Sequence, residues 1–297
     1  LSEIVRKLSS AGDSVVTIES DEKFTTTISC EKSVFHIQGR DGEEFAYLPY
    51  IEKDKYICLS QFTLKEVIQQ TIFSISPNDS NKMMAGELLE VKDDFLKVVS
   101  LDGHRISIRK VELKENFGNI KVVVPGKTLT EVSKILSGET DDDVRIFFTT
   151  NHIVFEFEET IVVSRLIEGE YFRIDQMLSS DYETKITVNK RELLSCIDRA
   201  TLLVKEGDKK PIIIHITDGS MELKINSQIG SMKEDIDIEK EGKDILIGFN
   251  PRFLMDALRV IDDETVDIYL VNPKAPCFIR DDKETYTYLI LPVNFTA

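Results

Sequence analysis

Nowhere in its 297 residues does the sequence hold the roughly 20 consecutive apolar residues that a membrane-spanning helix requires. Its apolar runs, as at 211–216 and 244–249, are strand-length. Residues 1–10 mix Glu3, Arg6 and Lys7 with apolar positions, unlike the basic, apolar and small-residue regions of a secretory signal. A cytoplasmic protein with no membrane partner is expected. Cysteine is scarce: Cys30, Cys58, Cys196 and Cys277 stand far apart, without C-x-x-C spacing and without a neighbouring histidine. That argues against a zinc site and a disulfide framework, and predicts reduced, mostly buried thiols.

Signals of catalysis are missing too. No G-x-x-x-x-G-K-[ST] or G-x-G-x-x-G loop is present to cradle phosphate, and no G-x-S-x-G elbow to raise a nucleophile. His36, His104, His152 and His215 are isolated from one another. The acidic runs 141–143 and 262–264 lack the D-x-D-x-D-G pattern with a glutamate at position 12, and read as solvated turns. No metal, no cofactor and no catalytic residue is expected. Positive charge is in short supply as well: 37 Lys and Arg stand against 53 Asp and Glu, a net charge of -16. A binder of nucleic acid usually carries a basic footprint in its total, so this balance speaks against one unless the charges are unevenly placed.

What the sequence does contain is an internal repeat. Residues 55–71 read as a short strand, a Ser60 cap and a helix with apolar Phe62, Leu64, Val67, Ile68 and Ile72. Residues 184–200 repeat this pattern about 130 residues later, with Asn189 as cap and Leu193, Leu194, Ile197 and Leu202 on the apolar face. A second strand-to-helix unit recurs at 121–137 and 244–261. Residues 1–10 resemble the helix of a third copy, followed by strands at 14–20, 23–30 and 33–38. Paired strands with turn clusters between them, and two helices per unit, predict an α+β repeat with antiparallel sheets. Three copies would take about 370 residues, and residue 1 is Leu, so the expectation is a chain that begins inside its first copy. The expected domains are 1–54, 55–180 and 181–297.

The charges are unevenly placed. The helical windows 1–10, 61–75, 126–137, 190–205 and 251–261 carry eleven basic and six acidic residues, so the negative surplus belongs to the rest of the chain. Basic helices on an acidic body suit a protein that holds a polyanion on one face. Between two strands, Asp102 and Gly103 signal a hairpin turn, with His104 and Arg105 following.

These motifs carry a resemblance. Leu101, Asp102, Gly103, His104, Arg105 and Ile106 look like the T-D-G-H-R-L motif of bacterial beta clamps, the beta subunits of DNA polymerase III. Leu289 to Val293 resembles their carboxy-terminal Y-L-I-L-P-V or V-V-M-P-M, residues 247–258 their G-F-N-x-x-Y-L-x-D-x-L segment, and residues 84–90 their L-x-G-x-L-F-E strand. The resemblance implies a head-to-tail homodimeric ring, with helices lining a pore for double-stranded DNA of any sequence and sheets outside. It also implies a pocket for short linear peptides of the polymerase catalytic subunit and of clamp-loader subunits. Carried over by position, that pocket uses Met84, Leu101, Gly103, His104, Arg105 and Ile106, with Asn250, Phe253, Leu289, Ile290, Leu291, Pro292 and Val293. Phe172, Gln176 and Met177 stand where the family often has Pro, Arg and an aliphatic residue, a departure in the same wall. Arg6, Lys7, Lys82, Lys127, Lys134, Arg199, Lys205 and Arg252 are expected to face DNA, with the loop 78–83. The alternative is a clamp-like scaffold that binds peptides without encircling DNA.

Overall fold

The computed structural model describes residues 1–8, 14–45, 53, 55–76, 81–138, 142–178, 181–204 and 210–295. The chain divides into two compact units, Leu1–Ile51 and Glu52–Ala297. In the first, a short helix α1 (Ser2–Lys7) precedes an antiparallel sheet of β1 (Thr17–Ser20), β2 (Thr25–Cys30) and β3 (Ser33–Gln38), in that order. β1 starts three residues later than expected, and β2 two residues later, because the Asp21 carboxylate accepts from the Lys23 and Thr25 amides and folds 21–25 into a turn before β2. Ile28 and Cys30 of β2 are buried.

The second unit contains one succession of elements twice. It runs β4 (Tyr56–Ser60), α2 (Gln61–Thr71), β5 (Gly86–Asp93), β6 (Phe95–Leu101), β7 (Arg105–Glu112), β8 (Gly118–Pro125), α3 (Gly126–Ile135), β9 (Asp143–Phe148), β10 (His152–Phe157) and β11 (Thr160–Arg165). It then repeats as β12 (Thr184–Asn189), α4 (Lys190–Thr201), β13 (Ile212–Thr217), β14 (Ser220–Asn226), β15 (Ser231–Gly242), β16 (Ile245–Phe249), α5 (Pro251–Val260), β17 (Thr265–Leu270), β18 (Cys277–Arg280) and β19 (Tyr286–Ile290). The helix starts are local in origin. The Ser60 hydroxyl accepts from the Thr63 amide, the Asn189 side chain from Glu192, and the Asn250 side chain from Arg252 just after Pro251. Leu64, Val67 and Ile68 then bury one stripe of α2. Phe62 does not join them: it sits on the opposite side of the helix and is exposed, as is Leu202, which lies past the end of α4.

Each repeat makes two four-stranded antiparallel sheets, β8-β5-β6-β7 with β4-β9-β10-β11, and β16-β13-β14-β15 with β12-β17-β18-β19. Long β15 pairs with both β14 and β12, and β19 pairs with β7 of the preceding repeat, so twelve strands become continuous. The β19–β7 ladder sets Leu289 opposite Ile106 and Ile290 opposite Arg105. Strands at this junction are apolar on both faces because both faces are covered. Leu89 and Val98 face a core with α2 and α3, whereas their neighbours Leu88 and Val99 join Leu101, Ile106, Tyr171, Ile174, Tyr269, Phe278 and Leu289 in a separate cluster. Ile290 faces the opposite way from Leu289, into the core that α4 and α5 close. Burying each such side chain contributes about 1.5–3 kcal/mol. The helices form a contiguous layer, since α2 packs on α3, α5 on α4, and α2 on α5. Cys30, Cys196 and Cys277 are buried thiols, Cys58 is half-buried, and all four are free. Among the described residues no helix is long and apolar enough to cross a membrane.

Candidate functional site

The hairpin from β6 to β7 turns through Gly103 and His104, closed by the Asp102 amide on the Arg105 carbonyl at 3.3 Å. Gly103 has φ +83°, a left-handed value that a Cβ resists, as the first position of a primed two-residue turn demands. The Asp102 carboxylate accepts from the His104 amide at 2.9 Å, the Arg105 amide at 3.1 Å and Arg105 Nε at 3.0 Å. The turn thus engages two of its own amides and the Arg105 Nε through one aspartate.

Arg105 is the joint between the repeats. Its Nη1 donates to Asp256 Oδ2 on α5 at 2.6 Å and its Nη2 to the Phe73 carbonyl at 2.5 Å. Its guanidinium carbon lies 4.4 Å from the Phe253 ring centroid and 5.4 Å from that of Phe73. The His104 ring stacks at 6.2 Å on Phe253, and the His104 carbonyl accepts from the Leu291 amide at 2.9 Å.

Beside this joint opens a cavity of about 550 Å³, lined by Met84, Leu101, Gly103, His104, Arg105, Ile106, Phe172, Met177, Pro276, Leu289 and Leu291. The wall is almost wholly carbon and sulfur, and the polar atoms of Arg105 are turned into the protein. Such a socket takes aliphatic or aromatic side chains and gives no foothold to a charged one.

Of the residues expected here, the structure brings ten together around the cavity and leaves six outside its lining. Gln176 is exposed. Asn250 spends its side chain capping α5, and Phe253 stands behind His104 and Arg105. Ile290 is buried in the α4–α5 core because alternate residues of a strand point to opposite faces. Pro292 lies beyond the end of β19, and the Val293 amide is tied to the Gly248 carbonyl at 2.8 Å. Pro276, from the loop before β18, lines the cavity without having been expected, as no motif contains it. Phe73 and Asp256 were also missed as supports of Arg105; the Phe253 and Asp256 spacing of three, one helical turn, is the signal that could have found the second.

The cations expected to face DNA divide into two groups. Arg199 is held bidentately by Glu234 of β15, and Lys134 pairs with Glu131 at 2.8 Å. Lys82, Lys127 and Arg252 are exposed and carry no ion pair among the described residues. Arg6 and Lys7 are exposed on α1. Lys205 and residues 78–80 lie outside the described residues.

A titratable group is hidden in the same repeat. Glu87 of β5 is fully buried, and its two carboxyl oxygens have no hydrogen-bond partner among the described residues. Burial pushes its pKa up to about 8, an effect that the neighbouring Thr71 hydroxyl offsets only in part.

Comparison with known proteins bears on all of this. Residues 58–172 match the family model of the DNA polymerase III beta subunit, central domain, and 175–294 that of its C-terminal domain. The beta sliding clamp of Staphylococcus epidermidis is 33% identical over 282 residues, which are 94% of this chain and 74% of the relative. A crystal structure from Eubacterium rectale, of a protein provisionally named a DNA polymerase III beta subunit, superposes with a TM-score of 0.91 at 68% identity, covering 100% of this chain and 80% of that one. The DNA polymerase sliding clamp of Bacillus subtilis gives a TM-score of 0.90 at 34% identity over 99% of this chain and 78% of its own.

Proposed function

The chain belongs to the DNA polymerase III beta subunit family, and on that premise we propose that its cross-repeat cavity is the socket for short linear peptides of its partners. The protein is a DNA sliding clamp, which encircles duplex DNA as a dimeric ring and tethers polymerase to it. The polymerase catalytic subunit and clamp-loader subunits take turns at the one socket. The clamp performs no chemistry of its own and works in the cytoplasm.

One observation carries the socket reading. A cavity of about 550 Å³ with an apolar wall is assembled mainly from two sequence-distant segments, the 101–106 hairpin and the end of β19, and the Asp102 carboxylate and Arg105 guanidinium beside it are already bonded within the protein. A peptide with a Leu and a Phe near its end would bury both side chains there at little cost in polar desolvation. Titrating the full chain with a fluorescein-labelled Gln-Leu-Ser-Leu-Phe peptide and with a Gln-Ala-Ser-Ala-Ala control tests it. Saturable binding of the first alone is expected, and equal binding of both would sink the reading.

Contact with DNA is assigned to Lys82, Lys127 and Arg252, which form no ion pair among the described residues, in preference to Arg199 and Lys134. Phosphate contacts from a few flexible lysines and arginines hold a duplex of any sequence and let it slide.

A further inference from the structure

Arg105 lines the socket, yet each nitrogen of its guanidinium donates to the protein. Nε goes to Asp102, Nη1 to Asp256 and Nη2 to the Phe73 carbonyl, with the Phe253 and Phe73 rings close by. The side chain is 11% exposed. Three of its five N–H groups are therefore engaged inside the protein.

The three acceptors differ in what they join. Asp102 sits in the same turn as Arg105, and its other oxygen is occupied by the turn's own amides. Phe73 follows α2 in the same repeat. Asp256 alone comes from the following repeat, half-buried on α5 and three residues from Phe253, which stacks on His104. The socket's walls likewise come from both repeats, the hairpin from one and β19 from the other. Their separation is set by the β19–β7 ladder on one side and by α5 against the hairpin on the other. The ladder reaches only to Arg105 and Ile290; beyond it the hairpin tip is tied to β19 by the Leu291 amide on the His104 carbonyl and to α5 by Arg105 and His104.

We propose that Asp256 is a positioning residue for peptide capture: by gripping Arg105 it holds the hairpin tip at the distance from β19 at which the socket fits its ligand. The proposal rests on the socket reading above. Asp256 touches no ligand and acts through Arg105, by keeping the cavity formed in the free protein. Preorganisation of this kind raises affinity by removing the ordering cost from the binding step.

The test is peptide binding by the full chain, read as fluorescence polarisation of the labelled Gln-Leu-Ser-Leu-Phe peptide, with melting temperature and amide hydrogen exchange of residues 102–106 in the free protein. Asp256→Asn, which strips the charge from a part-buried, charge-assisted hydrogen bond, should weaken binding about tenfold and should speed exchange in the hairpin. Asp256→Glu, which still reaches Arg105 with a carboxylate, should recover most of the affinity. Leu291→Ala serves as the direct test of the socket and should weaken binding without altering exchange at 102–106. Wild-type affinity in Asp256→Asn alongside a weakened Leu291→Ala overturns the positioning role and leaves the socket standing. Wild-type affinity in both overturns the socket reading, and the proposal with it. Equal losses in Asp256→Asn and Asp256→Glu also overturn the proposal. If Asp256→Asn melts early, Arg105→Lys decides: a lysine cannot bridge Asp102, Asp256 and Phe73 together. It should show the same loss, and wild-type binding by it refutes the proposal.

Discussion

The amide of Leu291 donates to the carbonyl of His104 at 2.9 Å, one residue past the end of the ladder that joins the two repeats. Two segments far apart in the chain are thereby fixed side by side, and the Leu291 side chain is delivered to the cavity mouth, with 37% of the residue's surface exposed. A leucine so placed has much to gain from a ligand and little to do for the fold.

Leu291→Ala should therefore cost about 1–3 kcal/mol of peptide binding, roughly a tenfold to hundredfold loss, the range for an interface hot spot. Its melting temperature should stay at the wild-type value. Pro292→Ala, outside the lining, should bind within about twofold of wild type, a difference that polarisation titrations at one salt concentration can resolve.

Gly103→Ala probes the turn and not the contacts. The nearest heavy atom to an added Cβ is Met84 Cε at 4.0 Å, so there is room for it, and the penalty comes from φ +83°. Destabilisation by about 1–2 kcal/mol is expected. Chemical denaturation will measure it, and an unchanged midpoint would mean that the turn relaxes to another conformation.

Glu87 makes stability depend on pH. In the fold its pKa is raised from the ordinary carboxylate value of 4.5 to about 8, so between those limits the folded chain holds a proton that the unfolded chain releases. The burial of this group is tolerated in full below about pH 4.5, and stability falls as pH rises through the window, by at most about 1.4 kcal/mol per pH unit. Glu87→Gln keeps the shape without the titration. Urea melts from pH 5 to pH 9 should show wild type losing stability relative to the variant toward alkaline pH, and parallel curves would be evidence that Glu87 is solvated.

For DNA, Lys127→Glu and Arg252→Glu should each weaken retention of the loaded clamp on nicked circular DNA, to the same degree on any sequence. The slope of log retention against log salt should fall by about one for each phosphate that the protein no longer neutralises. Arg199→Glu should do less to retention, because Arg199 already neutralises Glu234. A greater effect of Arg199→Glu than of Lys127→Glu reverses the assignment.

Much of the α+β repeat was legible in residue order alone, because its causes are local. Ser60, Asn189 and Asn250 cap helices through amides two or three residues away, and Asp102 with Gly103 turns a hairpin through its own backbone. The family motifs carried Leu101 to Ile106 and Leu289 to Val293 as blocks. Which members of a block face the cavity was not legible: Leu289 and Leu291 line it while Ile290 turns away, a parity set by the pairing of β19 with β7. The basic excess of the helices likewise did not anticipate that Glu234, 35 residues from Arg199, would claim its charge.

The sequence by itself determined the helices, the turns, the two copies of β-α-β4-α-β3 and the apolar character of both socket-forming segments, since each depends on spacing within a dozen residues. Tertiary structure alone decided that Pro276 joins the socket, that Asp256 grips Arg105 and that Glu87 is sealed from water. The reason is physical: the first two arise where β19 of one repeat adds to the sheet of the other, and the third where strand and helix layers close over each other. Contacts of that kind depend on register and on the angle between elements, which no short stretch of residues encodes.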